Sequence, residues 1–431
     1  MGPPPDLESL GRRYRPSVNI ARAPAAGVPL PFMLAGWGFL IWAAWELAAS
    51  RTLLVERAFG APTVIAAVHG VTLGFLTMTM TGFLYQWIPV VFDVPALPRW
   101  FSWTEGAVYS LGLVVFLDGW LTGVLWRLAI GGILLSLALI AFAAGSALRV
   151  AQSRRPRDTV TAAVVLALCG LTATWVMGLI MATNLAAGRE ASGWLALHIV
   201  IALAAWVATL VSGVQLKLVP MFSMSRVEGR LTALPLVLLW LGVGAAAAGH
   251  WFFVPGMVTA AALWLLAAAL ALVLVTRIRR QGKAPEPDSV FVTILSGWGL
   301  WVLAALLLLF SPPLAVIAAL GGGIVMVLGY QARLAPFMVA LSVARRMPGP
   351  PQKAFFMARA MNSQNGPRLI GLAMPLAVLF LLAAMVQHQA AEVLAGTVLV
   401  MAAWAASTGS MAAAIIRSAR HRPDAAAGPQ H

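Results

Sequence analysis

The sequence predicts an all-α polytopic membrane protein. Three observations predict it. Of its 431 residues, 61% are hydrophobic and only 10% charged, against about 25% charged in an ordinary soluble domain. Apolar runs recur from Pro29 to Ile416, each close to the roughly 20 residues that cross a hydrocarbon core as a helix. The Lys and Arg residues sit in short clusters between those runs rather than on one face. The net charge of +15 therefore implies a lipid surface and no nucleic acid.

The apolar segments number twelve, at roughly 30–50, 62–91, 104–121, 127–147, 160–187, 193–222, 231–249, 253–276, 290–310, 314–343, 369–387 and 391–415. In lipid an isolated segment must satisfy its own backbone, so each is read as a helix. With the N-terminus in the cytoplasm, the outer side receives Arg51, Arg57, Arg127 and Arg189, and the other 25 of the 29 basic residues fall inside. That asymmetry predicts two cytoplasmic termini and an even number of spans. Residues 1–28 read as a Pro- and Arg-rich cytoplasmic tail rather than a cleaved leader. Residues 29–416 read as one twelve-helix membrane domain, and 417–431 as a second tail. The longest inner connection, near Ala344–Pro367, holds a candidate surface helix at Ala354–Met361. The lone Cys169 excludes an intrachain disulfide and any cysteine-based metal cage.

The second, sixth and tenth segments are the longest, and they share an ending: GFLYQWIP, GVQLKLVP and GYQARLAP. In each, a Gly precedes a Pro by seven positions: Gly82 and Pro89, Gly213 and Pro220, Gly329 and Pro336. The interval between copies is about one four-helix unit. Three pseudo-threefold repeats of four helices follow, near 29–150, 159–277 and 289–416. The Gly lets helices approach closely and the Pro ends or bends the helix.

Four of the six histidines fall in the outer half: His69, His198, His250 and His388. The last two sit at helix ends, as solvated imidazoles would; His421 and His431 are in the tail. His69 and His198 lie inside two of the three repeat-bearing helices, 13 residues before Gly82 and 15 before Gly213. An ionisable group at such depth is costly, which makes both candidate ligands, with a plain helix-to-helix hydrogen bond as the alternative. Glu46, inside the first helix at a similar depth, is a candidate to hold the His69 ring, or else to pair with Arg51. Asp118 reads as interfacial, and Lys217 and Arg333 as snorkelling cations. The run Gly321–Gly323 clears side chains at mid-membrane, which admits a flat group or a neighbouring helix.

The stretch VHGVTLGFLTMTMTGFLYQWIP, Val68 to Pro89, resembles the haem-ligand helix of subunit I in the haem-copper oxidase superfamily. It looks most like the divergent members related to cbb3-type oxidases and nitric-oxide reductases. The resemblance rests on His69, Gly74 with Phe75, Gly82 and Pro89, and LHIVIALAAWVATLVSGVQLKLVPMF looks like a second copy. It implies twelve helices in three arcs of four, a bacterial-type inner membrane, and a b-type haem on His69. A redox or assembly partner subunit is also implied. A haem- and copper-containing family of the nitric-oxide response shares the spacing, but its His-Glu-Met trio is absent here, since Gly70 follows His69.

The departures from that family concern its oxygen-reducing centre. Its tenth-helix histidines fall on Val316 and Leu314, and Leu231–Gly249 lacks its copper-binding His pair. Copper is therefore not expected, because one imidazole, His198, cannot hold it. No independent oxidase or reductase activity is expected either. Two readings remain. In one, His69 with or without His198 ligates a b-type haem near the outer face, for electron transfer or gas handling. In the other, the chain is a cofactor-free scaffold, assembly subunit or transporter.

Overall fold

The computed structural model describes residues 19–189, 192–225, 230–252, 255–282, 289–344 and 364–420. Most of both predicted tails, the candidate helix at 354–361, and His421 and His431 lie outside them. The described chain is all-helical. Its long helices are α1 (Pro29–Ala49), α2 (Pro62–Phe92), α3 (Arg99–Thr122), α4 (Leu125–Ala151), α5 (Thr159–Ala186) and α6 (Leu195–Ser223). They continue as α7 (Leu234–Phe252), α8 (Pro255–Arg280), α9 (Val290–Leu308), α10 (Pro312–Ala344), α11 (Asn365–Gln387) and α12 (Ala390–Arg420). Among the described residues eleven helices are long and apolar enough to cross a membrane. In α7 the apolar stretch, Leu234–Gly249, is shorter.

The helices pair in sequence, α1 with α2, α3 with α4, and so on to α11 with α12. Further contacts join α4 to α5, α8 to α9 and α12 to α1, which closes the bundle into a ring. Burial sets α2 and α10 at its centre: their most apolar windows are 67% and 72% buried, against 28% in α5 and α12. The outer helices turn Leu111, Ile133, Leu137, Leu372 and Val398 outward, as a bundle bathed in hydrocarbon does.

The shared Gly and Pro positions act as close-packing points and helix ends. A side chain on Gly82 would strike Phe32 of α1, one on Gly213 would strike Ala163 of α5, and one on Gly329 would strike Thr293 of α9. α2 and α6 both run three residues past the proline and stop at a left-handed residue, Asp93 (φ 56°) or Met224 (φ 53°). The backbone N–H of each returns to the carbonyl of Pro89 or Pro220, closing the last turn. The Gly321–Gly323 run admits neighbouring helices. Gly321 faces Val378 of α11, Gly322 faces Trp301 of α9, and a Cβ on Gly323 would stand 3.5 Å from both Leu76 of α2 and Val207 of α6.

Candidate functional site

Both candidate histidines lie next to an interruption in their helix. The α-helical turn that ends on His69 passes into a π-helical segment, Gly70–Thr77. The turn carrying His198 passes into another, Ile201–Ala208. Such wide turns are uncommon and frequently mark functional sites. Local contacts account for the first. Trp42 and Ala43 of α1 sit on Gly70, and Phe39 sits on Gly74. The Leu73 carbonyl takes the N–H of Met78, five residues on, and also the Tyr109 hydroxyl of α3 at 3.0 Å. In α6 the Ala204 carbonyl likewise takes the N–H and the hydroxyl of Thr209. Thr209 in turn accepts from Trp240 of α7.

His69 is half-buried, with Nδ1 2.8 Å from the Ile65 carbonyl. A carbonyl can only accept, so Nδ1 carries the hydrogen and Nε2 keeps its lone pair. The ring meets Phe116 of α3 edge-on at 5.4 Å, and Phe116 meets Trp120 at 6.3 Å. The Trp120 indole N–H is buried without a partner.

His198 leans on α5. Its imidazole lies against the Thr174 carbonyl, and its Cε1 is 3.4 Å from where a Cβ of Gly178 would stand. Its Nδ1 is buried without a hydrogen-bond partner. The two imidazoles are close enough to interact electrostatically.

Glu46 is placed differently. The turn of α1 before it, at Trp42 and Ala43, covers Gly70. Glu46 lies one turn further toward the helix end, and it shares no hydrogen bond with His69 or ion pair with Arg51 among the described residues. The tautomer of His69 is fixed by a backbone carbonyl of its own helix instead.

The other expected polar groups are at helix ends. His388 caps α11 in left-handed geometry (φ 56°), its Nδ1 2.9 Å from the Val55 carbonyl. Asp118 pairs with Arg127 at 2.5 Å across the α3–α4 turn. Lys217 reaches Asp158, at the start of α5, at 3.3 Å. The Arg333 guanidinium lies over the Phe222 ring. For His250 only the backbone is described.

The positions on α10 that lack histidine are apolar in their surroundings too. Leu314 is buried with Leu54 and Met385. Val316 lines a cavity of about 130 Å³ with Val200, Leu239, Trp264 and Trp301. A porphyrin placed there would meet no imidazole, thiol or carboxylate among these walls. Nor do three or more His, Cys, Asp or Glu residues gather into a metal-binding group among the described residues.

One buried ionisable group escaped the sequence reading. Glu105, in the opposite half of the bundle, is only 4% exposed. Its Oε2 accepts from the Tyr85 hydroxyl at 3.0 Å, and its Oε1 has no partner. The signal was present: Glu105 and Tyr109 are four apart on one face of α3, with no cation a helical turn away. A segment starting at residue 104 hid it by making it terminal, whereas α3 starts at Arg99.

A comparison with known proteins adds no relative: no protein-family model matches the chain, and none of the curated proteins does.

Proposed function

We propose that the chain is a twelve-span membrane protein of three four-helix repeats, with both termini cytoplasmic, and that His69 and His198 are axial-ligand candidates for a b-type haem near the outer face. The observation that carries the haem reading is the convergence of two imidazoles from different central helices, each with one ring nitrogen free of protein partners.

The repeat reading is supported by the positions that meet at the centre. Leu76, Val207 and Gly323 each lie thirteen residues before the proline of their helix, and a Cβ on Gly323 would stand 3.5 Å from each of the other two. The ring contacts α4–α5, α8–α9 and α12–α1 fall at the three boundaries between repeats. In that scheme α7 is the seventh span, occupying the place that α3 and α11 hold in their repeats. The 25 to 4 division of basic residues supplies the orientation.

The residues fit an axial ligand at His69. The Ile65 carbonyl holds the ring and leaves Nε2 available, as the outer partner of a ligating imidazole normally does. Phe116 packs edge-on against the imidazole, and Trp120 lies behind Phe116. His198 is two residues out of step with His69 when the helices are aligned on their prolines, so it meets the shared region from its own angle. A b-type haem held there would supply one-electron transfer if both His69 and His198 held it, and gas binding if only one did. Reduction of oxygen or nitric oxide by the isolated chain is not part of this proposal, because the positions that would complete such a centre are Val316, Leu314 and a seventh helix without a His pair.

The Soret region tests the reading. Protein prepared with ample haem is expected to show the band, and His69→Ala to lose it. His198→Ala turns low spin to high spin if both residues ligate, and leaves the spectrum unchanged if only His69 does. Wild-type protein without Soret absorption overturns both versions. The alternative is then a cofactor-free scaffold or transporter, which the apolar surroundings of Val316 and Leu314 favour.

A further inference from the structure

We propose that Glu105 and Tyr85 form a proton-binding site inside the membrane domain, which exchanges with the aqueous phase at the end of the bundle that carries Pro89 and Pro220. The site stands independently of the histidine pair, on residues of α2, α3 and α4.

The geometry begins with what surrounds the carboxyl. From α2, Tyr85 donates to Oε2 at 3.0 Å. On α3, Tyr109 is one turn along, and its hydroxyl is already committed to the Leu73 carbonyl. From α1, Phe32 packs on Tyr85 at 5.4 Å and covers Gly106, the residue after Glu105. From α4, Phe142 meets the Tyr85 ring edge-on at 5.4 Å. Glu105 has no ion pair among the described residues. Arg99, the cation nearest in sequence, has its guanidinium over the Trp103 ring, 4.5 Å from its centroid. An ionised carboxylate closed in by phenyl rings and without a cation is expensive. The inexpensive state has the proton on Oε1, the oxygen that no protein group bonds.

Tyr85 makes the site reversible rather than a sealed acid. Its O–H points at the carboxyl, so it bonds the neutral form and bonds the carboxylate more strongly. Unloading breaks the Oε1–H bond, sends the proton to water and leaves one negative charge that the Tyr85 hydrogen bond stabilises. Loading reverses both changes. No redox partner is needed.

The direction of exchange follows from where polar groups lie. Toward the proline end, α3 presents the buried Ser102, one turn before Glu105. α4 presents Ser146, buried with its hydroxyl unpartnered, next to Gly145, which faces Phe101 and Leu97 of the α3 entry. Beyond them Ser153 bonds the Phe92 carbonyl at 2.7 Å, close to the charged surface at Asp93 and Arg155. Toward the histidine end, α3 continues after Tyr109 with Leu113, fully buried, and then Phe116 against His69. Buried hydroxyls thus lie on the proline side of the carboxyl, and apolar residues on the histidine side.

The test uses the full chain in sealed lipid vesicles with dicyclohexylcarbodiimide, an apolar reagent that modifies carboxyl groups in their protonated form. Peptide mapping is expected to place the adduct on Glu105. Raising the pH at the proline-end face should lower labelling by roughly tenfold per pH unit once the group ionises. Raising it at the other face should have no effect. Tyr85→Phe removes the hydrogen bond to the carboxylate, so its labelling should persist to higher pH. Absence of the adduct on Glu105, labelling indifferent to pH on both faces, control from the histidine-end face, or a Tyr85→Phe profile identical to wild type would each overturn the proposal. The readout involves no haem, so it succeeds or fails separately from the Soret measurement.

Discussion

The indole N–H of Trp37 donates to Oε1 of Gln331 at 2.8 Å, across 294 positions of sequence and from α1 to α10. A second bond of the same kind joins Trp298 of α9 to Gln215 of α6 at 2.9 Å. Both tryptophans follow a glycine, Gly36 or Gly297, and both glutamines lie two residues after one, Gly213 or Gly329. The remaining positions of that pattern hold Leu171, after Gly170, and Leu84, two after Gly82. Both leucines are buried. The polar partners are thus present together twice and absent together once, which leaves no buried indole facing a leucine.

The Trp37–Gln331 bond should therefore carry measurable energy. Gln331→Leu leaves a buried N–H unsatisfied and should cost about 1–2 kcal/mol. In a cycle with Trp37→Phe, the coupling should be about 0.6–1.7 kcal/mol, the range for hydrogen bonds between membrane helices. Thermal unfolding of the two single variants and the double variant in detergent measures it. Additive losses would mean that the bond contributes nothing.

Asp93 ties three segments together at the end of α2. It accepts from Asn19 at 2.8 Å and from Arg22 at 3.2 Å, with Arg155 at 4.0 Å. The Asn19 hydrogen bond holds its carboxyl below the usual carboxylate range; burial opposes it, and the Arg22 and Arg155 guanidiniums add to the lowering. A folded value below the unfolded one stabilises the fold at pH above about 4, and the benefit is lost as pH falls through the folded value. The side chain is 40% exposed, so solvent screening limits the effect to about 1 kcal/mol or less. Asp93→Asn keeps a residue that tolerates the left-handed backbone and removes only the charge. Its stability deficit should be present at pH 7 and shrink as the pH falls below about 4. A deficit unchanged across that range would place the effect in the backbone rather than the charge.

Orientation can be tested on two exposed loop positions. In a Cys169→Ser background, Ala187→Cys, after α5, should react with a membrane-impermeant thiol reagent added to intact cells. Gln152→Cys, after α4, should react only after permeabilisation. The reverse pattern would invert the topology read from the basic residues.

Hydropathy made the helices legible, because each apolar run is long enough to need no other explanation. The Gly-to-Pro spacing singled out α2, α6 and α10, of which α2 and α10 are the most buried helices, because close contact and helix ending both depend on residue type. Glu105 was not. Its burial comes from Tyr85 and Phe142 on other helices folding over a helix start, and no property of the α3 sequence alone records that. The π segments were hidden as well. Gly70–Thr77 is apolar almost throughout and largely buried, so its pattern has no polar face whose phase would reveal a widened turn. Glu46 was a candidate partner for His69 or Arg51 by depth alone, and depth does not fix direction around a helix.

The two π segments make α2 and α6 jointed rods rather than straight ones. A π turn is equivalent to one extra residue in an α-helix. Removing one residue from Gly70–Thr77 would let that stretch relax to ordinary α spacing, and the end bearing His69 would swing by about 100° relative to the end bearing Pro89. The proline end is gripped by Phe32 on Gly82 and by the left-handed stop at Asp93, so the turning would fall on the histidine. The direction in which each imidazole points is therefore an adjustable property of this architecture, set by a single-residue insertion and separable from the packing that holds the helices together.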